Sequence, residues 1–349
     1  MTDFALNCPV PLDDHATVQM AHGGGGRLMQ RLIEGLFLPA FAGDRPVAPP
    51  HDSAVLELEG GRVAFTTDTF VVDPLFFPGG DIGKLAICGT VNDLAMAGAR
   101  PAWLSAGFVL EEGLPIETLR RVVASMSATA RAAGVRIVTG DTKVVDRGKG
   151  DGIFINTAGI GLVPSGLQIG PQCVEPGDAI LVNGDLGRHG MAIMSLREGL
   201  EFEGALESDC SPLWGLVEAM LPARDDLHCL RDLTRGGLAA ALNEIAQHAR
   251  LGIEIDEAAV PVAAPVASAC ELLGLDPMYV ANEGRLVAFV PAAAAEEVLA
   301  IMRSHPLAPE AAIIGRVTDK HPGTVELANQ LGGRRILDLL SGEQMPRIC

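Results

Sequence analysis

Positive charge is scarce: 26 Lys and Arg stand against 44 Asp and Glu, leaving a net charge of −18. Such an acidic surface repels phosphate backbones and anionic lipid, so neither nucleic acid nor membrane is an expected partner. Long apolar runs are missing too. None approaches the ~20 residues a membrane helix needs, and the opening MTDFALNCPVPLDDH has no basic stretch leading into an apolar one. The expected location is the cytoplasm. The seven cysteines, Cys8, Cys88, Cys173, Cys210, Cys229, Cys270 and Cys349, form no CxxC pair and are odd in number. That excludes a zinc knuckle and a closed disulfide framework, and most should be buried apolar thiols. The histidines lack HExxH-type spacing, so zinc chemistry is not supported, and no internal repeat is found.

What is present is core material. Hydrophobic residues make up 48% and charged residues 20% of 349 residues, enough for about two domains. The segment before Asp52 is rich in Pro and Gly, with one helical stretch, Arg27 to Phe37. AVLELEGGRVAFTTD, from Ala54, reads as a hairpin that delivers Asp68 to a sheet edge. An apolar helix follows over Gly83 to Ala97, then a strand over Trp103 to Leu110. An amphipathic helix starts at Pro115 with Leu119, Val122, Val123, Met126 and Ala130 on one stripe and stops at Gly134. Strand Val135 to Thr139 should end in a turn at Gly140-Asp141-Thr142, and strand Ile153 to Val163 should close the first domain. PSGLQIGPQCVEPGD, residues 164–178, is the link. Beyond it, strands (AILVNG, LVAFV, AIIGRV, TVELA) alternate with helices (GMAIMSLREGL, LAAALNEIAQHA, AEEVLAIMRSH), a layered sheet with helices on one face.

Four carboxylates carry the first half: Asp52, Asp68, Asp93 and Asp141. A lone charge in or after an apolar stretch costs several kcal/mol unless paired or on a metal, and hard oxygen ligands of this kind suit Mg²⁺ with a nucleotide phosphate. Taken singly, Asp68 and Asp141 read rather as turn or cap residues and Asp52 as a surface residue; Asp93, between apolar neighbours, is harder to explain so. His22-Gly23-Gly24-Gly25-Gly26-Arg27 is either a phosphate-binding lead into a helix or a flexible linker. Lys143 is a phosphate ligand, a base, or a solvated lysine. Asp232-Leu-Thr-Arg-Gly-Gly237 is an anion turn or a cap. Glu283, between MYVA and RLVAFV, is a site carboxylate or, as spacing favours, a hairpin tip. The terminal MPRIC combines stiff Pro346, Arg347 able to pair with an acid, apolar Ile348 as an anchor, and a thiol whose pKa its own α-carboxylate should raise.

FTTDTFVVDPLFFPGGDIGKLAICGTVNDLAMAGA, GDTKVV, DLTRGG, ANEG and the terminal SGEQMPRIC together resemble the HypE family of hydrogenase maturation proteins, within the PurM-like (aminoimidazole ribonucleotide synthetase) superfamily. The similarity runs from about His22 to Cys349, and the PRIC ending is its most specific element. It implies an α+β fold in four parts. These are an arm with the Gly-rich segment (1–50), a PurM-like ATP-binding and dimerising domain (51–165), a PurM-like α+β domain (175–330) and a mobile tail ending in the reactive cysteine (331–349). It implies ATP and Mg²⁺ as cofactors, with Asp52, Asp68, Asp93 and Asp141 as metal ligands. Gly23, Gly24, Gly25, Gly26, Thr67 and Asn92 would join Asp68, Asp93 and Asp141 in holding ATP. Lys143 and Glu283 would lie beside Cys349. The implied partners are a second copy of the chain, HypF as carbamoyl donor enzyme, and the HypC–HypD complex as cyanide acceptor. His51-Asp52-Ser53 stands where relatives often carry paired acids.

The implied reaction is ATP-dependent dehydration of a carbamoyl group on Cys349 to a thiocyanate, which supplies cyanide to the iron of [NiFe] hydrogenase. Its chemistry is self-consistent: amide oxygen leaves poorly as water but well as phosphate, so ATP is the activator. Glu283 would take protons from nitrogen while Lys143 faces the developing charge. Two alternatives are a small-molecule kinase or selenophosphate synthetase of the same superfamily, and a non-catalytic carrier presenting its thiol.

Overall fold

The structure, a computed structural model, describes residues 17–38, 40, 51–200, 206–329, 332–340, 342 and 344–349; Cys8 lies outside them. Helix α1 (Arg27–Leu32) runs directly into a π-turn over Ile33–Phe37, filling the expected helical stretch. The first domain is a five-stranded sheet of β1 (Ala54–Leu58), β2 (Gly61–Phe70), β5 (Arg100–Glu111), β6 (Arg136–Val145) and β7 (Ile153–Val163), with the small hairpin β3 (Phe76–Phe77) and β4 (Gly80–Asp81) beside it. The strand order is β1-β2-β7-β5-β6, antiparallel except for β5-β6. Helices α2 (Ile82–Met96) and α3 (Ile116–Ala132) cover one face.

Alternation along β2 separates the faces: Ala64, Thr66 and Phe70 are buried under the helices, while Phe65, Thr67 and Thr69 face out. Only Lys84 and Asp93 of α2 are not fully buried. A helix apolar all round needs cover on all sides, and α2 has it, from the sheet, from α3 and from the second domain. In α3 the stripe Val122, Met126 and Ala130 is buried, but Val123 falls outside it and is exposed.

Two expectations about β2 and β6 do not hold. β2 continues to Phe70, leaving Asp68 inside a strand that is second in the sheet, not at its edge. β6 runs through Gly140-Asp141-Thr142 without turning, because its parallel pairing with β5 continues as far as Val145 opposite Glu111.

The second domain contains β8 (Asp178–Val182), α4 (Arg188–Glu198), α5 (Trp214–Met220), β9 (Cys229–Asp232), α6 (Gly237–Ala249), β10 (Gly252–Asp256), α7 (Ala264–Leu273), β11 (Leu286–Pro291), α8 (Ala295–Ser304), β12 (Ala312–Thr318), β13 (Val325–Ala328) and β14 (Arg334–Ile336). Its sheet is ordered β14-β13-β10-β12-β8-β11-β9. Both faces are covered, not one. Ile180 and Val182 pack with Leu238, Leu242 and Ile245 of α6, whereas Leu181 packs with Leu216 of α5 and Val298 and Met302 of α8. The uninterrupted apolar run of β8 is the sequence mark of a strand buried on both sides.

Two further segments differ from expectation. MYVA is a 3₁₀ turn over Pro277–Tyr279, started by the Asp276 carboxylate accepting from Met278 N at 3.0 Å, so no hairpin leads to Glu283. Part of the supposed tail is sheet, since β14 pairs antiparallel with β13. Its end is docked: Met345 and Ile348 join the core formed by Phe70, Met191, Val266 and Val280.

Candidate active site

Three acids from distant parts of the chain meet where the two domains join. Asp52 precedes β1, Asp93 lies near the C-terminal end of α2, and Asp232 ends β9; their ligand oxygens all lie within 4.8 Å of one another. Thr66 Oγ1 lies 2.7 Å from the Asp93 carboxyl and 3.1 Å from the Asp52 carbonyl oxygen, within hydrogen-bond reach of both, so β2 stands beside each of these acids. Arg231 Nε pairs with Asp52 at 2.8 Å and its Nη2 with Glu244 at 2.5 Å. Burial pushes the carboxyls of Asp52 and Asp93 well above the usual range, and it raises Asp232 to about 6. Asp232 Oδ2 is buried and meets no donor, and Asp93 can hydrogen-bond to Asp232 only if one of them carries a proton. Such a set of hard oxygens, three carboxyls beside a single guanidinium that Glu244 also shares, fits a divalent cation. His51 adds no charge, since burial and then Arg231 lower its pKa to about 4.

Asp68 stands on the helix-covered face of β2, its carboxylate accepting from Thr69 N at 2.7 Å. Burial raises its pKa, with Arg235 partly offsetting the shift. Helix α2 passes close by because residue 89 is glycine: a Cβ there would lie 3.5 Å from Asp68 Oδ2 and 3.0 Å from the Phe70 ring. Thr67 is turned to the other face, where its hydroxyl donates to the Thr157 carbonyl at 3.0 Å.

The glycine segment is packed in place. Arg235 Nη1 donates to the Gly23 carbonyl at 2.7 Å, Gly25 sits at φ 73° with the Arg235 backbone where a Cβ would go, and a Cβ on Gly26 would lie 2.5 Å from the Leu340 carbonyl. Gly24 lies beside Arg235 and Gly236 at a small recess that Met345 and Ile348 also line. The segment therefore touches both the 232–237 turn and the tail.

Glu283 is 2% exposed. Its N–H and that of Gly284 donate to the Asp209 carboxylate, at 3.3 and 2.9 Å. Asn92 Nδ2 donates to the Glu283 carbonyl at 3.2 Å and to the Ser211 carbonyl at 3.1 Å, and its Oδ1 accepts from Leu213 N at 2.7 Å. The Asn92 amide is thus occupied in holding these loops. Glu283 Oε1 is buried with no hydrogen-bond partner. Burial, then the charges of Asp232, Asp68 and Asp209, raise its pKa well above the usual carboxylate range.

The tail ends against this region. Val71 N, just past β2, donates to a main-chain oxygen of Cys349 at 2.9 Å. The buried His189 joins the Ile348 carbonyl, 2.8 Å from Nε2, to Ser208 Oγ, 2.8 Å from Nδ1, and Ser208 is the neighbour of Asp209. Ile348 is buried and Arg347 pairs with Asp73 and Asp151, the roles that the residue types of MPRIC suggest.

Asp141 and Lys143 are not brought to these groups within the chain. Asp141 pairs across the sheet with Gly107, Gly107 with Asn156, and Asn156 with Thr69, so Asp141 shares the open face with Thr69 while Asp68 faces the helices. Three strand spacings separate the two rows' ends, about 14 Å. Lys143 pairs with Asp141 at 2.6 Å, and both side chains are some 70% exposed, at 70% and 72%. Residue-level reading missed Asp232 as a member of the acid cluster, and Thr66, Arg231, Asp209 and His189 altogether. For Asp232 the signal was its place at a strand end before a Gly-Gly turn; the others carry none.

Residues 50–163 and 175–328 match the N-terminal and C-terminal domains of the AIR synthase related proteins. A carbamoyl dehydratase HypE from Azotobacter vinelandii is 55% identical over 335 residues, covering 96% of this chain and 98% of the relative. A solved HypE in complex with ATP is 49% identical with a TM-score of 0.81, covering 95% of this chain and 100% of the other. A HypE–HypF complex gives 47% identity and a TM-score of 0.84, covering 88% and 99%. With both domain types matched in order and such identity sustained across almost its whole length, the chain belongs to the HypE family of carbamoyl dehydratases, the hydrogenase maturation branch of the AIR synthase related proteins.

Proposed function

We propose that the chain dehydrates a carbamoyl group carried on Cys349, using ATP, to a thiocyanate that supplies cyanide to the iron of [NiFe] hydrogenase. The observation that carries this reading is the docked tail: Cys349 is bonded at the end of the strand bearing Asp68, and Ile348 connects through His189 and Ser208 to the Asp209–Glu283 loop. The overall change is R–S–CO–NH₂ + ATP → R–S–C≡N + ADP + phosphate. The carbamoyl oxygen attacks the γ-phosphorus and ADP leaves; the C–O bond then breaks with release of phosphate as nitrogen gives up its two protons in turn. Glu283 would receive them: its buried Oε1 has no hydrogen-bond partner, and a carboxyl with a raised pKa is the stronger base once ionised. Mg²⁺ held by Asp52, Asp93 and Asp232, with Asp68 beside them, would neutralise charge on the transferred phosphoryl group. Met345 and Ile348 are buried in the core with Cys349 half-buried beside them, which would limit the access of bulk water to the product.

The functional unit is a homodimer. The open face of the first sheet exposes Phe65, Trp103, Val109, Ile160 and Leu162, an apolar surface fit for burial against a second copy. Such pairing would bring Asp141 and Lys143 of one protomer to the nucleotide site of the other. HypF is the carbamoyl donor enzyme and the HypC–HypD complex the cyanide acceptor.

Intact-mass spectrometry tests the reaction. The carbamoylated chain should lose the mass of one water on adding ATP, and Cys349→Ala should show neither mass change while still binding ATP. A Cys349→Ala protein that still supported hydrogenase cyanide ligands in cells would overturn the reading in favour of a small-molecule kinase.

A further inference from the structure

Arg197, in the last turn of α4, grips the tail by its main chain. Its Nε donates to the Asp73 carbonyl at 2.6 Å, its Nη1 to the Pro346 carbonyl at 2.6 Å, and its Nη2 to the Arg347 carbonyl. One planar guanidinium therefore joins two consecutive tail carbonyls to a third in the segment after β2, an arrangement that a lysine ammonium cannot reproduce in one plane. Two other holds lie beside it: Arg347 against Asp151 and Asp73, and His189 on the Ile348 carbonyl. None of these bonds uses the Cys349 sulfur, so a carbamoyl or cyano group on the sulfur takes away none of their donors or acceptors.

We propose that Arg197 is a positioning residue, which sets the docked place of Cys349 by binding tail carbonyls whatever group the thiol bears. The proposal rests on the dehydratase reading only for its consequence to the reaction; the hold itself is tested separately. In Arg197→Lys, two of the three hydrogen bonds are lost, and alkylation of Cys349 by iodoacetamide should accelerate about tenfold or more. Water loss from protein carbamoylated with cyanate, followed by mass at saturating ATP, should slow about tenfold, with ATP affinity unchanged. Arg197→Gln serves if the Lys variant fails to fold. An alkylation rate equal to wild type in a folded variant overturns the proposal, as does slowed water loss accompanied by equally weakened ATP binding. If wild-type carbamoylated protein loses no water with ATP, the dehydratase reading falls, while the alkylation comparison still decides the role of Arg197.

Discussion

Asp232 is a carboxyl whose behaviour follows from its neighbours. Burial raises its pKa from 3.8 to about 6. Between those values the folded chain holds a proton that the unfolded chain has released, so its contribution to stability is full at lower pH and is lost as pH rises through about 6. A divalent cation that takes the proton's place reverses the loss. The Mg²⁺-induced gain in melting temperature should accordingly be small near pH ~5 and grow towards pH ~7, and Asp232→Asn should remove most of it. Thermal melts across this range with and without Mg²⁺ check the point; a gain independent of pH would contradict the assignment. Asp93 was recognisable in the sequence as a charge inside an apolar helix. Asp232 was not, because a single acid before a Gly-Gly turn looks the same whether it caps a helix or faces two other acids.

At the scale of the element, α2 connects sequence to site most directly. Asp81 accepts from Gly83 N and Lys84 N at 2.8 and 3.2 Å and from Ser125 Oγ of α3 at 2.6 Å, so one carboxylate starts α2 and fastens its neighbour. Asp81→Ala should cost about 1–2 kcal/mol, read as a lower urea midpoint at unchanged slope. An unchanged midpoint would show that packing alone holds the helix start. Asn92 and Asp93 ride on the same helix, so a slackened α2 should also lower ATP turnover. The helix was legible as an apolar run, but its strict burial depends on a second domain that begins after residue 170.

For the whole molecule, the decisive quantity is which face Asp141 occupies. Asp93→Asn and Asp141→Asn should each abolish Mg²⁺-dependent ATP turnover when assayed separately. If the site is shared between protomers, mixing and re-equilibrating the two inactive variants restores one intact site in each heterodimer, about a quarter of wild-type turnover per chain. Turnover assays on the mixture decide this, since acids acting within one chain would leave the mixture as inactive as its components.

The sequence by itself determined whatever depends on near neighbours. The hairpin about Gly60, the α3 stop at Gly134 and the strand Ile153–Val163 follow from period and turn chemistry. The anchoring of Ile348 and the pairing of Arg347 with an acid follow from residue type. Only the tertiary structure decided which acids meet. Glu283 looked like a hairpin tip because MYVA is apolar, yet a 3₁₀ turn and the Asp209 carboxylate bury it. Thr67 and Asp68 are adjacent in sequence, but strand pleating sends them to opposite faces. Asp141 is in register with Thr69 three strands away, a relation fixed by long-range pairing. The carboxylate site is likewise a product of two domains closing on each other, because burial and the nearness of like charges arise only from that packing.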